Sequence, residues 1–250
     1  MNSKDEFLDK KIYDTKILDI KEDFDDVKTY ILEKPTDLTY MEGASFRVAI
    51  PGFLDGPRPD RKLIHHLSIN SLNALDEYIS FTTRFSIRKS DFKKELGKKK
   101  VGDYLQIFDI ENNMTLRRED RPIYLLSMGI GMSTMKPLIY SFIKDPSRIR
   151  NLTSINVSRE GSRLFYHDIM KLNQDNFHQV WIEGRRKFFE DLNERNLDES
   201  IIYIVGSNEF LLDTIHRLNE LGVKDEDIHL DMNKKKHDLM VMAAKRHDFY

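Results

Sequence analysis

The hydrophobic pattern of this chain changes its period once, after Arg121 and Pro122, and that change constrains the fold more than any other feature. Before it, short runs alternate apolar and polar residues between glycines and prolines, which is typical of antiparallel strands. After it, short apolar runs such as Ile201–Val205 alternate with helical patterns, which is typical of an open parallel sheet. The sequence therefore predicts an antiparallel β-barrel over residues 1–120 and an α/β parallel sheet with a C-terminal tail over residues 121–250.

The pattern also predicts individual elements. Strands of the first domain are expected within 11–34 and at 45–50, 63–70, 78–86 and 104–109, with a short helix at 90–96 that Ser90 caps. Strands of the second domain are expected at 123–126, 152–157, 180–182, 201–205 and 228–231. Helices are expected at 135–144, 163–172, 187–196 and 209–221, the last ended by Gly222.

Composition excludes several functions. The chain has no cysteine, so disulfides, thiolate zinc sites and cysteine-bound iron–sulfur clusters are excluded, and any electrons must be carried by an organic cofactor. Forty basic residues against 42 acidic ones give a net charge of -2, so no nucleic-acid partner is expected. No apolar run reaches the ~18 residues of a membrane span, and the first residues show no apolar signal core. We expect a cytoplasmic protein without membrane contact.

Two glycine-containing turns are the strongest local signal of function. Gly129 and Gly131, within 127–133, follow one apolar strand and precede a helix, and Gly206, within 205–210, does the same. Such turns offer glycine backbone and free helix N–H groups to a phosphate or a flat ring. A plain tight turn is the alternative for either one alone.

From about Ser45 to the end, the order of these segments resembles the ferredoxin–NADP⁺ reductase family, without an iron–sulfur domain. The family combines a flavin-binding barrel with an α/β domain that binds a pyridine nucleotide. Its Arg-x-Tyr-Ser strand, which holds the flavin, matches residues 65–68. The resemblance implies that Ser68 bonds near the flavin N5, while His65 replaces the arginine and Leu67 the tyrosine. Ordinary strand residues are the alternative for His65 and His66, which face opposite sides of a strand and cannot share a metal.

The resemblance implies further contacts with both cofactors. Thr82 and Thr83 match the strand whose backbone lines the flavin, and Ser90 matches a phosphate-binding serine. The other residues that it places at the nucleotide are Gly129, Gly131, Ser133, Ser158, Arg159, Arg163 and Gly206. Val205 stands where the family has a cysteine, and Thr134 stands where it has a proline. No metal site is expected.

The last residue and a run of lysines complete the resemblance. Many members of the family end in an aromatic residue that stacks on the flavin, a role that Tyr250 or Phe249 would fill. Residues 234–236 are three lysines, whose plain interpretation is a solvated face; the alternative is docking of an acidic flavodoxin or ferredoxin.

The sequence thus predicts an NAD(P)H-dependent flavin oxidoreductase with Ser68, Gly206 and Tyr250 at the reaction centre. FAD is the expected flavin, with FMN as the alternative, and NADPH is the expected donor, with NADH as the alternative. Electrons would pass to ferredoxin, flavodoxin or a small-molecule acceptor. Two other functions stay open: an NADH-linked ferric-chelate or free-flavin reductase, and a non-catalytic binding module that has lost the family's Arg, Tyr, Cys and Pro.

Overall fold

The computed structural model describes residues 4–24, 26–85, 90–158, 166, 168–172 and 174–246. The chain divides into two compact units, Met1–Asn112 and Asn113–Tyr250. The predicted boundary near residue 120 falls slightly later, immediately before the first parallel strand begins at Arg121. The division of binding roles between the two domains stays a prediction.

Within the described residues, the first unit is an antiparallel sheet of six strands with two short helices. The strands are β1 (Tyr13–Phe24), β2 (Val27–Glu33), β3 (Ser45–Ala49), β4 (Ile64–Ser68), β5 (Tyr78–Arg84) and β6 (Tyr104–Glu111), and the helices are α1 (Asp5–Leu8) and α2 (Asp91–Leu96). The strand order is β4-β3-β6-β1-β2-β5. The long strand β1 pairs first with β6 and then with β2, which lets the sheet curve. The predicted barrel is confirmed as a barrel-like sheet whose ladder stays open between β4 and β5.

Hydrogen bonds just beyond β4 join the two edge strands. The N–H of Asn70 donates to the C=O of Ser80 over 2.9 Å, and the Nδ2 of Asn70 donates to the Oγ1 of Thr82 over 2.5 Å. The Oγ of Ser71 accepts the N–H of Ser80 over 3.0 Å. These bonds hold β4 near β5 without a regular ladder. The enclosed core is apolar and includes Ile17, Tyr30, Leu32, Phe46, Val48, Phe81, Leu105 and Ile107.

The described part of the second unit is a parallel sheet of five strands with four α-helices. The strands are β7 (Arg121–Met128), β8 (Ile149–Ser158), β9 (Phe177–Glu183), β10 (Ile201–Val205) and β11 (Ile228–Leu230). The helices are α3 (Met132–Lys144), α4 (Arg185–Asn193), α5 (Asn208–Glu220) and α6 (Lys234–Ala244). This architecture confirms the predicted open parallel α/β sheet.

The strand order of the second unit, β11-β10-β7-β8-β9, reverses beside β7. The chain proceeds from β7 to β8 and β9 on one side and returns to β10 on the other. One face of the sheet packs against α4 and α5 through a buried cluster that includes Leu126, Ile155, Phe188, Ile202, Ile204, Phe210 and Ile215. In open α/β sheets, ligands bind outside the carboxyl ends of the strands where the order reverses. The carboxyl ends of β7 and β10 are therefore the expected ligand-binding position of this sheet.

Two regions of the second unit, residues 163–172 and the C-terminal region, differ from the predicted secondary structure. Residues 163–165 and 167 of the predicted helix 163–172 lie outside the described residues, and within its described part Ile169–Lys171 form a 3₁₀ turn. The region expected as a C-terminal tail contains α6. Asn233 caps this helix by accepting the N–H of Lys236 over 3.1 Å, and Val241 and Ala244 are buried in the core that α5 shares. None of the helices in the described ranges has the length and apolar content needed to cross a membrane.

Candidate functional sites

The two glycine turns of the second unit lie side by side at the carboxyl ends of β7 and β10. These strands pair in register, with Ser127 opposite Val205. Gly131 packs so closely on β10 that a Cβ built on it would lie 2.7 Å from the C=O oxygen of Val205. Only glycine fits without a backbone shift. The two turns therefore meet where the strand order reverses.

Gly129 has a different reason to be glycine. Its φ is +56°, in the left-handed region, and a Cβ there would meet open space. The side chain of Asn156 on β8 stabilises this turn, because its Nδ2 donates to the Oγ of Ser127 over 2.9 Å and to the C=O of Gly129 over 3.4 Å. Sequence reasoning missed Asn156, whose one signal is a polar side chain in an apolar strand.

The start of α3 is suited to an anion. Its first turn has no side-chain cap and no acidic residue among the described groups. Ser133 is buried, and its Oγ donates to the C=O of Ile130 over 2.8 Å, so this hydroxyl stabilises the turn. Uncapped N–H groups and the positive end of the helix dipole favour a phosphate at such a position.

Gly206 owes its identity to packing. A Cβ on Gly206 would lie 2.4 Å from a ring carbon of Phe210, which is fully buried. Ser207 caps α5 by accepting the N–H of Phe210 over 3.3 Å. Arg185, which sequence reasoning also missed, lies 2.9 Å from a carboxylate oxygen of Glu209 and 3.4 Å from the Oγ of Ser207. These contacts fix the second turn.

Ser158 ends β8, as expected, and is only 6% exposed. Its C=O accepts the N–H of Gly184 over 2.9 Å, but its Oγ has no hydrogen-bond partner in the part of the chain that the structure describes. Arg159, Arg163 and Tyr250 lie outside the described residues. Their contacts with a nucleotide or a flavin stay predictions.

In the first unit, the two neighbouring histidines of β4 differ. The ring of His65 stacks on Phe92 of α2, with centroids 5.3 Å apart and planes at 16°. Burial, and then the charge of Lys93, lowers the pKa of His65 below its ordinary value and so favours the uncharged ring. His66 is exposed. Among the described residues, no group of three or more His, Asp or Glu side chains is placed to hold a metal ion.

The other predicted flavin contacts lie on the two edge strands. Leu67 packs against the barrel core, and Ser68 ends β4 opposite Ser45. Thr82 and Thr83 are more than nine-tenths buried. The Oγ1 of Thr82 is bonded to Asn70, as described above, and to the Oγ1 of Thr29 over 2.6 Å, so this hydroxyl joins the strands.

Two cations that sequence reasoning missed lie at the end of β5 and the start of α2. The Nζ of Lys93 donates to the C=O of Arg84 over 2.7 Å, and the Nε of Arg84 lies 3.3 Å from a carboxylate oxygen of Asp26. Burial, and then the charge of Arg84, lowers the pKa of Lys93. Ser90 accepts the N–H of Lys93 over 3.3 Å, which confirms the predicted N-cap. Its contact with a phosphate stays a prediction.

The residues present fit both cofactors, although unequally. The open Gly129 turn and the uncapped start of α3 fit the pyrophosphate of a pyridine nucleotide. Lys93 and Arg84 fit the negative charge of a flavin nucleotide at the β4–β5 edge. Leu67 fits a flavin ring less well than an aromatic residue would, because an aliphatic side chain cannot stack on it.

A groove of about 500 Å³ lies at the opposite edge of the parallel sheet, at the amino ends of β7 and β10. Its lining includes Arg121 and Asp227, which pair over 2.8 Å, and Arg150 and Glu199, which lie 3.6 Å apart. These charges neutralise one another, and ligands of open α/β sheets bind at the other edge. The groove is not part of the candidate site.

The described architecture, a barrel-like antiparallel sheet and a parallel α/β unit, is the fold of solved ferredoxin reductase and cytochrome b5 reductase structures. The predicted resemblance is therefore confirmed at the level of the fold. No protein-family model matches the chain, and no curated protein matches it either.

Particular solved structures make the likeness quantitative. The CS-b5R domains of human Ncb5or, in an NAD⁺ form, share 16% identity at a TM-score of 0.73, covering 89% of this chain and 70% of that one. The ferredoxin–NADP⁺ reductase of Plasmodium falciparum shares 14% identity at a TM-score of 0.69, and the match covers 89% of this chain and 96% of that one. The ferredoxin reductase in carbazole 1,9a-dioxygenase shares 16% identity at a TM-score of 0.74, and the match covers 89% of this chain and 68% of that one.

Proposed function

We propose that this chain is an NAD(P)H-dependent flavin oxidoreductase that passes electrons from NADPH through FAD to a one-electron acceptor. The observation that carries the proposal is the contact between Gly131 and Val205, which sets two glycine turns side by side at the reversal of strand order. The solved structures with this fold include reductases and an NAD⁺ complex, which supports the same assignment. When bound, a flavin supplies hydride acceptance and one-electron release.

The second unit binds and orients the nucleotide in this proposal. The Gly129–Gly131 turn and the first N–H groups of α3, stabilised by Ser133, bind the pyrophosphate. Gly206 lets the nicotinamide approach the backbone. Residues proposed at the adenosine ribose and its 2′-phosphate are Ser158, Arg159 and Arg163. The two arginines favour NADPH, with NADH as the alternative.

The first unit binds the flavin. Ser68 donates or accepts a hydrogen bond at N5, and the backbone of Thr82 and Thr83 lines the ring. Lys93, with His65 and Ser90, faces the phosphates of FAD; weak phosphate binding by a neutral imidazole leaves FMN as the alternative. With a flavin bound, Tyr250 would stack on its ring and exclude water from it.

The acceptor is an acidic electron carrier such as ferredoxin or flavodoxin. Lys234, Lys235 and Lys236 are exposed at the start of α6 and supply complementary charge. A ferric chelate or free flavin, reduced with NADH, is the alternative acceptor on the same fold.

One observation favours a second candidate, a non-catalytic binding module. The side chain at the position of the family's arginine, His65, is stacked on Phe92, and Leu67 at the tyrosine position packs on the barrel core. Both side chains have taken structural roles. A protein that kept the fold and lost the flavin would look like this at β4.

The first experiment is an absorbance spectrum of the purified protein, recorded before and after anaerobic addition of NADPH or NADH. We expect flavin bands that bleach faster with NADPH. Protein that stays colourless after incubation with FAD and FMN would make the enzyme proposal wrong and support the binding module. Bleaching by NADH alone would support the ferric or free-flavin reductase.

A further inference from the structure

The carboxyl ends of β8 and β9 place a serine and a carboxylate together. Ser158 and Glu183 are register partners in this parallel ladder. Partners in register project from the same face of the sheet. Glu183 is exposed, whereas its register partner Ser158 is buried.

Polar atoms on this face lack partners. The Oγ of Ser158 and the indole Nε1 of Trp181, two residues before Glu183, are buried without a hydrogen-bond partner within the described part of the chain. Buried polar groups are normally bonded to protein, water or ligand. The end of β8 and β9 is therefore a place where a polar ligand group would complete the bonding.

The position of Ser158 in the sheet identifies that group. The Gly129–Gly131 turn, which the proposed function assigns to the pyrophosphate, follows β7, and β8 is the next strand along. In dinucleotide-binding α/β units, the adenosine ribose lies beyond the strand after the phosphate turn, where a carboxylate accepts the 2′-hydroxyl or an arginine receives a 2′-phosphate.

The charge of Glu183 is not neutralised by its described neighbours. The structure gives this carboxylate no ion pair among the described residues. The nearest cation along the chain, Arg185, turns away to Glu209 and Asp213, at 2.9 and 3.5 Å. A free carboxylate accepts a hydroxyl hydrogen bond and repels a phosphate dianion.

We infer that Glu183 is a specificity-determining residue that accepts a ribose hydroxyl and opposes a 2′-phosphate. The inference rests on the proposed function, because it needs a nucleotide at this edge. The preference for NADPH over NADH is then a balance between Glu183 and the two arginines of residues 159–163.

Titration calorimetry with 5′-AMP and with 2′,5′-ADP tests this inference, using the wild type, Glu183→Gln and Glu194→Gln. Glu194 is a matched control, an exposed carboxylate at the far end of α4. In Glu183→Gln, we expect about tenfold tighter binding of 2′,5′-ADP, because one repulsive charge is removed. We expect about twofold weaker binding of 5′-AMP, because a neutral amide oxygen accepts the ribose hydroxyl less strongly than a carboxylate does. In Glu194→Gln, the ratio of the two affinities should stay at the wild-type value.

The outcomes separate the inference from the proposed function. If the wild type binds 5′-AMP and Glu183→Gln leaves the ratio unchanged, or Glu194→Gln changes it equally, the role of Glu183 is wrong and the nucleotide site stands. If the wild type binds neither nucleotide, the nucleotide site is wrong and the role of Glu183 falls with it. Thermal unfolding of each variant, expected within a degree or two of the wild type for exposed substitutions, excludes misfolding as the cause.

Discussion

The turns of the second unit depend on glycines that leave no room for a side chain, whereas the edge strands of the first unit depend on the side chains that they carry. A Cβ on Gly131 would lie 2.7 Å from the backbone of Val205, and a Cβ on Gly206 would lie 2.4 Å from the ring of Phe210. At the β4–β5 edge, His65 stacks on Phe92 and Leu67 packs on the barrel core. The glycine turns leave no room for a larger residue, whereas the side chains of β4 are occupied by contacts with the protein itself. The nucleotide turns are thus the firmer part of the proposed site.

Substitution of Gly131 by valine should disrupt the contact that holds the two glycine turns together. The added Cβ would overlap the backbone of Val205, and no side-chain movement relieves that contact. We expect a loss of about 3 kcal/mol in the free energy of unfolding and at least about a hundredfold loss in NADPH affinity. Chemical unfolding followed by the fluorescence of Trp181, the single tryptophan, and titration with NADPH measure the two effects.

Gly222→Ala is the control for this substitution. Gly222 has a left-handed φ of +85°, unlike Gly131, whose φ is -55°; its Cβ position is open and it lies at the end of α5. Backbone strain alone should cost about 1 kcal/mol and leave NADPH affinity unchanged. Equal losses of affinity in both variants would mean that general destabilisation, and not the turn, governs nucleotide binding.

The sequence predicted the elements better than the contacts between them. The strand Ile201–Val205 was predicted to the residue because an apolar run of β-branched residues admits few other structures. Helix α6 was missed because its first turn is three lysines and only Val241 and Ala244 are buried. The stacking of His65 on Phe92 and the contact of Gly131 with Val205 depend on how distant segments approach, which no local pattern carries. Asn156 and Arg185 were missed for the same reason.

His229 in the parallel unit is, like His65 in the first unit, a partly buried histidine that stacks on an aromatic ring. Its ring stacks on Tyr203 at 4.9 Å, and its Nε2 accepts a hydrogen bond from Arg117 over 3.3 Å. Burial lowers the pKa of His229 to about 4, and the charges of Arg117 and His237 add to this effect. The charges of Asp227 and Glu119 oppose it. The folded protein therefore favours the neutral ring.

The sign of the pH effect follows from that shift. In the unfolded chain, His229 binds a proton near pH 6.5, whereas the folded protein resists protonation down to about pH 4. Its contribution to stability is complete above pH 6.5 and is lost as the pH falls towards 4, by at most roughly 3 kcal/mol. Unfolding in urea at several pH values measures the loss. His229→Phe keeps the ring stacking and should flatten this part of the profile; an unchanged slope would make the assignment to His229 wrong.

Introducing a guanidinium at residue 65 should give the smallest effect. It tests whether the β4–β5 edge of the first unit binds a flavin phosphate. If the β4–β5 edge binds the phosphates of FAD, His65→Arg should tighten FAD binding by about tenfold, because arginine offers a bidentate, permanently charged fork in place of a neutral ring. Fluorescence quenching of added FAD measures the affinity. His66→Arg adds the same group to the exposed neighbour, whose side chain faces the other way, and should change the affinity less than about twofold. Equal gains in both variants would indicate non-specific attraction of the phosphates, and no gain in either would favour the binding module over the reductase.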